Sequence, residues 1–455
     1  MKMKKKNETT LVPPEEPKHC RPKMADDQTE SLDRREENNA DSFCLTSIKE
    51  AVDELYAFRD SYYVENPCAS EKQKSDDVDE RLKKILDTLD AQGGVLEKLD
   101  RAKFHMLKGK ALNILEDYNQ EAHEALSKAV KLSPKLVEAW NELGECYWKK
   151  GQITKARNCF EGVLKVTKDK VSLRNMSMVL RQVGETEEER FNNVCESVAK
   201  AKEALELDIT DGRNWSILGN AYITLFFSGT QNKKSLQQAL AAYSKALEDP
   251  RMHCSSELYH NHAVALQYDE DYQGALEQLE HACSLEPHWA QPREKAQNLM
   301  AYLQRLTDAV SHKGHLKPRK MKALLRDFKV QPLASLEQAK LKDLRPGKNT
   351  GLLLSVRVAC SVLSQERFPF TICVLDEDAS CVAVNVYNMA DGRGFVIGDA
   401  VVIREPTLRH IQVNHKNHEF SFPSIRVDSP LDLIVNGKVM SNESRAPPRL
   451  QVVKL

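Results

Sequence analysis

No stretch of this sequence approaches 18 uncharged apolar residues, so a membrane-spanning helix is excluded. The lysine-rich start, Met1 to Lys6, runs into Asn7-Glu8-Thr9-Thr10 and Pro13-Pro14 with no apolar core behind it, which does not make a secretory signal. The 11 cysteines include no Cys-x-x-Cys, and Cys146, Cys159 and Cys283 fall where a helix wants a small apolar residue; a reducing cytoplasm or nucleus is expected. Phosphate loop, Gly-x-Ser-x-Gly and His-Glu-x-x-His are all missing, so nothing points to an enzyme and no cofactor is expected. An excess of one charge is missing too. The 66 Lys and Arg face 67 Asp and Glu, which leaves no global field for nucleic acid or an anionic membrane, and any charge signal must be local.

What the 455 residues do contain is a repeat. Trp140, Leu143, Gly144, Tyr147, Ala156, Phe160 and Val163 fall at the spacings of the 34-residue tetratricopeptide helix-turn-helix pattern. One such hairpin cannot bury its apolar face alone, so neighbours are required. Leu107 and Gly109, then Ala122, Leu126, Ala129 and Pro134, form a copy before it, with the proline six residues ahead of Trp140. A degenerate copy follows, with Leu173, Met176 and Leu180 on one helix and Val198, Ala201 and Ala204 on the other. Trp215, Leu218, Gly219 and Tyr222 restore the signature, partnered by Ala239, Tyr243 and Ala246 after an insertion. Tyr259, His262, Ala263 and Leu266 with Ala275, Leu279, Ala282 and Pro287 make another. An irregular first hairpin, built on Ile48, Val52, Leu55, Tyr56 and Phe58, and a capping helix from Ala290 to His312 complete about six hairpins over residues 47–312. Residues 1–46, dominated by Pro, Glu, Lys, Asp and Asn, are expected to be a disordered leader, and Met24-Ala25-Asp26-Asp27 reads equally well as a natural start.

Residues 313–347 open with five basic residues and no acid between Lys313 and Lys322, and are expected to be a basic linker. Beyond them the hydrophobic period changes from 3.6 to 2. Leu352–Val362, Phe368–Leu375, Cys381–Tyr387, Phe395–Ile403, Arg409–Val413, Phe420–Val427 and Leu431–Val435 are short apolar runs between turn residues such as Gly392, Gly394, Gly398-Asp399 and Asn436-Gly437. The expected fold class is therefore an α-helical tetratricopeptide (TPR) solenoid followed, over residues 348–440, by a small all-β barrel of the oligonucleotide/oligosaccharide-binding (OB) type. An SH3-like barrel or a small sandwich is the alternative, and residues 441–455 read as a tail.

In such a superhelix, positions 2, 5, 9, 12 and 13 of each first helix face the concave side. The Trp140 hairpin then contributes Glu138, Asn141 and Glu145, the degenerate one Arg174 and Arg181, the next Arg213 and Asn220, and the last Glu257 and His260. Three arginines flanked by Glu138 and Glu257 suit a short peptide that carries both an acid and a base, because a guanidinium fork pairs bidentately with a carboxylate. Arginines that merely bridge neighbouring repeats are the plain alternative. A carboxylate clamp, which needs Lys at position 5 and Asn at position 9, is not matched by Asn141/Glu145, Ser216/Asn220 or His260/Val264.

No metal site is expected. His253, Cys254, His260 and His262 cluster in sequence, but His260 and His262 face different ways on one helix; His410, His415 and His418 straddle an expected hairpin turn as exposed loop residues. Nucleic-acid binding would call on Tyr387, Arg357, Arg409, Lys416 and Phe420 of the barrel, with Phe420 and Phe422 equally suited to its core. Lys317, Arg319 and Lys320 could serve as a nuclear import signal, a contact to ribosomal RNA or a plain solvated linker.

Several stretches carry a closer likeness: Tyr147-Trp148-Lys149-Lys150-Gly151, Lys170-Val171-Ser172-Leu173, Met178-Val179-Leu180-Arg181-Gln182, Asp211-Gly212-Arg213 before Trp215, and Val435-Asn436-Gly437-Lys438. In these the chain resembles the tetratricopeptide repeat protein 5 (Strap) family from about residue 47 to 440. The resemblance implies a scaffold with two roles. One is a stress-responsive nuclear cofactor that joins transcriptional coactivators in the DNA damage response. The other is a cytoplasmic reader of nascent tubulin, which takes the Met-Arg-Glu N-terminus in its groove at the ribosome and triggers decay of the encoding mRNA. It also implies that Arg181 contacts the peptide's glutamate and that nearby acids take its arginine, where Glu257 can serve and Gln291 brings no charge. A monomer is expected, without membrane contact; the alternative makes the barrel a nucleic-acid or chromatin binder with the repeats as recruitment arm.

Overall fold

The computed structural model describes residues 26–228, 231–326, 336–364 and 369–446, with side chains from Leu45 onward. Two helices open it, α1 (Asp26–Glu65) and α2 (Glu71–Leu112). The expected leader is thus helical from Asp26 on, while residues 1–25 lie outside the described residues. Once a helix is nucleated by burial of Ile48, Val52 and Leu55, adding polar but helix-tolerant residues at its N-terminus costs little, which composition alone does not reveal. Helix α2 kinks at Asp100 (φ −149°, ψ 88°), so its first part pairs with α1 and its second opens the next hairpin with α3 (Gln120–Leu132).

The remaining hairpins are α4 (Val137–Lys149) with α5 (Ile153–Leu164), α6 (Lys170–Leu180) with α7 (Glu187–Leu207), α8 (Gly212–Ser228) with α9 (Lys233–Ala246), and α10 (Ser256–Tyr268) with α11 (Tyr272–Leu285). Helix α12 (Ala290–Ser311) caps the stack. The repeat signature has a steric cause. A Cβ on Gly144 would sit 2.4 Å from the Phe160 ring, and one on Gly219 would sit 2.5 Å from the Tyr243 ring, so only glycine lets the two helices of a hairpin meet over a fully buried aromatic. The two signature tryptophans also act alike: Trp140 Nε1 donates to Pro134 O (2.9 Å) and Trp215 Nε1 to Ile209 O (2.8 Å), each tying a helix start to the loop six residues back.

After α12 come α13 (Pro318–Arg326) and a ten-stranded sheet: β1 (Glu337–Ala339), β2 (Gly347–Lys348), β3 (Leu352–Val362), β4 (Phe370–Leu375), β5 (Cys381–Val386), β6 (Ala400–Arg404), β7 (Thr407–His415), β8 (His418–Val427), β9 (Leu433–Val435) and β10 (Lys438–Val439). The segment expected to be a linker therefore holds α13, β1 and β2, and residues 327–335 of it lie outside the described residues, as do Phe368 and residues 447–455 of the tail. The long strand β3 pairs with β6 through its first half and with β4 through its second, and β5 runs parallel to β8. Only Glu405-Pro406 separates β6 from β7, so these two form one bent strand that joins β3 on one side to β8 on the other and closes the five-membered OB ring. The expected run from Phe395 begins as a strand only at Ala400, because Val396-Ile397-Gly398-Asp399 turns, with Gly398 at φ 100° and Asp399 Oδ2 accepting from Val396 N. The β7–β8 hairpin turns on Lys416 (φ 48°) and Asn417 (φ 67°), a primed turn.

The barrel docks on the capping end of the solenoid. Tyr272, Leu276, Leu299, Tyr302, Leu303 and Leu306 share one buried cluster with Val362, Cys373, Ile411, Val413, Phe420 and Phe422. Phe420 and Phe422 are thus core residues. Inside this seam the Glu270 side chain is fully buried, held at φ 67°, and accepts hydrogen bonds from Asn385 (3.0 Å) and Tyr387 (3.1 Å). Among the described residues no helix is long and apolar enough to cross a membrane.

Candidate peptide groove

The hairpins coil far enough for α1 to come back against α11. His288 Nε2 lies 3.1 Å from Ala69 O, the Tyr63 and His288 rings are 6.0 Å apart, and Asp60 reaches across to Arg213 at 3.7 Å. The superhelix therefore closes on itself, with α1 across the opening of its concave side. That closure follows from the curvature accumulated over all repeats, which no single repeat encodes.

Repeat-position counting overestimates how many groove residues are free. Arg174 donates to Asp211 (3.0 Å) and Asn214 and so bridges two repeats. Asn141 is buried between Asp169 (2.9 Å) and Ser172 (2.6 Å), and Asn220 accepts from Tyr243 (2.8 Å) and Asn261. His260 is buried against Trp289, with ring centroids 4.9 Å apart. These three polar residues are structural, buried in contacts with the side chains of neighbouring elements. Glu145 stays half-exposed beside Lys149 (3.6 Å), and Arg213 is exposed apart from its long contact to Asp60.

Arg181 is different. It caps α6 and is only 7% exposed. Below it Ser177 and Ser197, both fully buried, bond to each other and offer no acid. Its Nε donates to Ser177 O (3.3 Å), while Nη2 is buried with no hydrogen-bond partner. Burial lowers its pKa to about 10, so at neutral pH it remains a cation without an ion pair among the described residues. An unpaired buried guanidinium arm is costly, and it marks a place where an acceptor is missing.

An acidic cluster lies within electrostatic reach of Arg181. Glu257 is exposed yet walled in by protein, and its carboxyl is raised above the usual range by burial and then by Glu286 and Glu116, against the pull of Arg181. Glu286 and Glu116 were not among the sequence candidates, because they sit at helix ends and in the following turn, outside the first-helix positions the counting rule uses. They also lie within electrostatic reach of Tyr63 on α1, which places α1 beside this acidic cluster. Glu142 was missed as well: burial, then Glu145, pushes its carboxyl up to about 8, and Oε2 has no hydrogen-bond partner.

Of the barrel candidates for nucleic acid, Tyr387, Arg409, Lys416 and Phe420 are used in the seam. Tyr387 is 1% exposed, bonded to Glu270 and stacked under the Arg426 guanidinium at 3.9 Å. Arg409 donates to Asp269 O and approaches Glu270 (3.8 Å), and Lys416 pairs with Glu280 (2.6 Å). Arg357 donates to Gly398 O (3.1 Å). In the sequence Tyr387, Arg409 and Lys416 read as an open binding face, because the docking of the solenoid on it leaves no local pattern. Lys317, Arg319 and Lys320 are exposed, and among the described residues they pair with no acid. Of the histidines first weighed as ligands, His253 bonds to Leu247 O, His262 packs against Tyr243, and His415 is buried near Glu280 (3.9 Å) on β7, where an exposed loop position was expected. A cleft of about 1140 Å³ opens along the solenoid–barrel seam, lined by Lys233, Asp271, Arg404 and Asp428 among others, and does not include Arg181.

Comparison with known proteins agrees with this architecture. Residues 335–449 match the tetratricopeptide repeat protein 5 OB fold domain, and residues 115–174 match a tetratricopeptide repeat family. The mouse and human proteins named tetratricopeptide repeat protein 5 are each 42% identical over 419 residues, covering 88% of this chain and 95% of the relative. Among solved structures, YrrB, described as a TPR protein with an unusual peptide-binding site, is 18% identical, covers 44% of this chain and 95% of its own, and has a TM-score of 0.30. A helical repeat scaffold with a docked OB barrel, 42% identical to these relatives across nearly all of their length, belongs to the tetratricopeptide repeat protein 5 family.

Proposed function

We propose that this chain is a non-enzymatic adaptor whose enclosed groove takes a short peptide with a carboxylate next to a basic residue. The observation that carries the reading is the buried, unpaired Nη2 of Arg181, within electrostatic reach of Glu257, which in turn feels Glu286 and Glu116. A glutamate side chain would supply the acceptor that Arg181 lacks, and an adjacent arginine would relieve the repulsion among the three acids. The Met-Arg-Glu start of nascent tubulin meets both requirements. In the cytoplasm its capture on translating ribosomes would mark the encoding mRNA for decay; in the nucleus the same scaffold would join transcriptional coactivators during the stress and DNA damage response. The protein acts as a monomer in both settings.

Fluorescence anisotropy of the full chain with a labelled Met-Arg-Glu peptide tests this reading. Arg181→Ala is expected to weaken binding at least tenfold, and equal binding by wild type and variant overturns the groove assignment. The nucleic-acid reading keeps one supporting feature, the basic side of α13. Its apolar residues Met321, Leu324 and Leu325 are half-buried, with Leu324 next to Gly398, while Lys317, Arg319 and Lys320 point to solvent. That side serves as an auxiliary contact to RNA, such as that of a ribosome, rather than as a specific reader.

A further inference from the structure

We propose that Asp308, His312 and His315 form a site for a divalent transition metal of zinc type at the joint between solenoid and barrel. Asp308 lies in the last turn of α12 and His312 is its C-cap, four residues on. The chain then takes three consecutive left-handed residues, Lys313 (φ 53°), Gly314 (φ 68°) and His315 (φ 54°), which fold His315 back over the helix end. As a result His312 Nδ1 lies 2.9 Å from one carboxylate oxygen of Asp308, and His315 Nε2 lies 2.8 Å from the other. The two imidazoles are parallel, with centroids 5.2 Å apart and an interplanar angle of 11°.

One nitrogen from each ring and one carboxylate oxygen lie within 4.8 Å of one another, and small rotations of the exposed side chains would bring them to the separation of about 3.3 Å that ligands about 2 Å from a tetrahedral cation have. Two imidazoles and a carboxylate are the donor set that zinc and its neighbours in the series favour, and three protein ligands leave a position for water. His312 Nδ1 also lies 3.0 Å from Asp308 O, an ordinary helix-end contact, but capping does not account for His315. Two of the three left-handed residues are not glycine, their side chains are exposed, and exposed Asp–His contacts offset such strain poorly.

The turn is also fixed from the other domain. A Cβ on Gly314 would lie 3.0 Å from Ala359 Cβ and 3.1 Å from Cys360 Sγ, so strand β3 holds the turn in place and the ligands depend on both domains. A metal bound here would fasten to the end of α12 the turn that packs on β3. Neither the groove nor the seam network around Glu270 uses these three residues, so the site stands apart from the peptide-reading proposal.

The test is a titration of the full chain, stripped with a chelator that is then removed, with Zn²⁺ against a chromophoric competitor. His312→Ala, His315→Ala and Asp308→Asn are compared with His253→Ala, an exposed histidine outside the cluster. Expected is one site per chain whose affinity falls at least tenfold in each of the first three variants and is kept in the fourth. Zn²⁺ should also raise the thermal midpoint of wild type and not of His315→Ala. Zn²⁺ binding that is the same in wild type, His312→Ala, His315→Ala and Asp308→Asn, or no stoichiometric binding by wild type, overturns the proposal.

Discussion

Replacing Arg426 with Met takes the buried cation from Glu270 and leaves it only the partly exposed Arg409, at 3.8 Å. The Glu270 side chain is 0% exposed and lies 3.9 Å from Arg426, whose own side chain is 3% exposed. Arg426 also donates to Tyr268 O (2.7 Å) and Asp428 (2.6 Å), so it links the last repeat to β8. Removing one partner of a buried pair costs about 3–5 kcal/mol, because the remaining charge keeps its desolvation penalty. Arg426→Met is therefore expected to lose about 3–5 kcal/mol. Glu270→Gln removes the charge while the amide oxygen still accepts from Asn385 and Tyr387, so it should cost only about 1–2 kcal/mol. The double variant should then be less destabilised than the sum of the singles by about 1–3 kcal/mol. Urea unfolding followed by tryptophan fluorescence and far-ultraviolet circular dichroism reads this, with each transition fitted separately because a two-domain chain need not unfold in one step. A loss below about 1 kcal/mol for Arg426→Met, or strict additivity in the double variant, would show that this pair contributes little to the seam.

Glu142 should make stability fall with rising pH. Its folded-state carboxyl is raised from 4.5 to about 8, so the contribution is complete below pH 4.5 and is lost as pH rises through 8. Glu142→Gln should therefore match wild type near pH 4.5 and exceed it by about 1–3 kcal/mol above pH 8, as read by urea midpoints at a series of pH values. Gly219→Ala places a methyl 2.5 Å from the Tyr243 ring, and overpacking of this kind should cost about 1–3 kcal/mol in the same assay. If stability is unchanged, the ring yields freely and the steric account of the repeat glycine fails. Charge reversal at Lys317, Arg319 and Lys320 together should reduce the salt slope of single-stranded RNA binding by about 2, whereas Lys416→Ala leaves it unchanged. A slope that responds to Lys416 and not to the three would return the contact to the barrel.

The repeats were legible because their determinants are local: a glycine under an aromatic and a tryptophan tied to a carbonyl six residues back recur at fixed spacing. The barrel strands were legible for the same reason, in their period of 2. What could not be read lies between distant segments. Tyr387, Arg409 and Lys416 look like a basic-aromatic binding face until the Glu270 and Glu280 side chains of the solenoid meet them. Helix α1 reads as a separate first hairpin, and its return to His288 and Arg213 depends on the summed curvature of the stack. Arg174 and Arg181 carry the same side chain at neighbouring groove positions. Asp211, 37 residues beyond Arg174, occupies one and leaves the other unpaired.

If Arg181 reads a carboxylate, a double-mutant cycle across the interface will show the coupling. Binding of Met-Arg-Glu and Met-Arg-Gln peptides is measured for wild type and for Arg181→Ala by calorimetry. Wild type should prefer the glutamate peptide at least tenfold, and Arg181→Ala should bind both alike, since a desolvated guanidinium–carboxylate pair couples by about 1.5 kcal/mol or more. An equal glutamate preference in wild type and variant would show that another group reads the acid and would contradict the account.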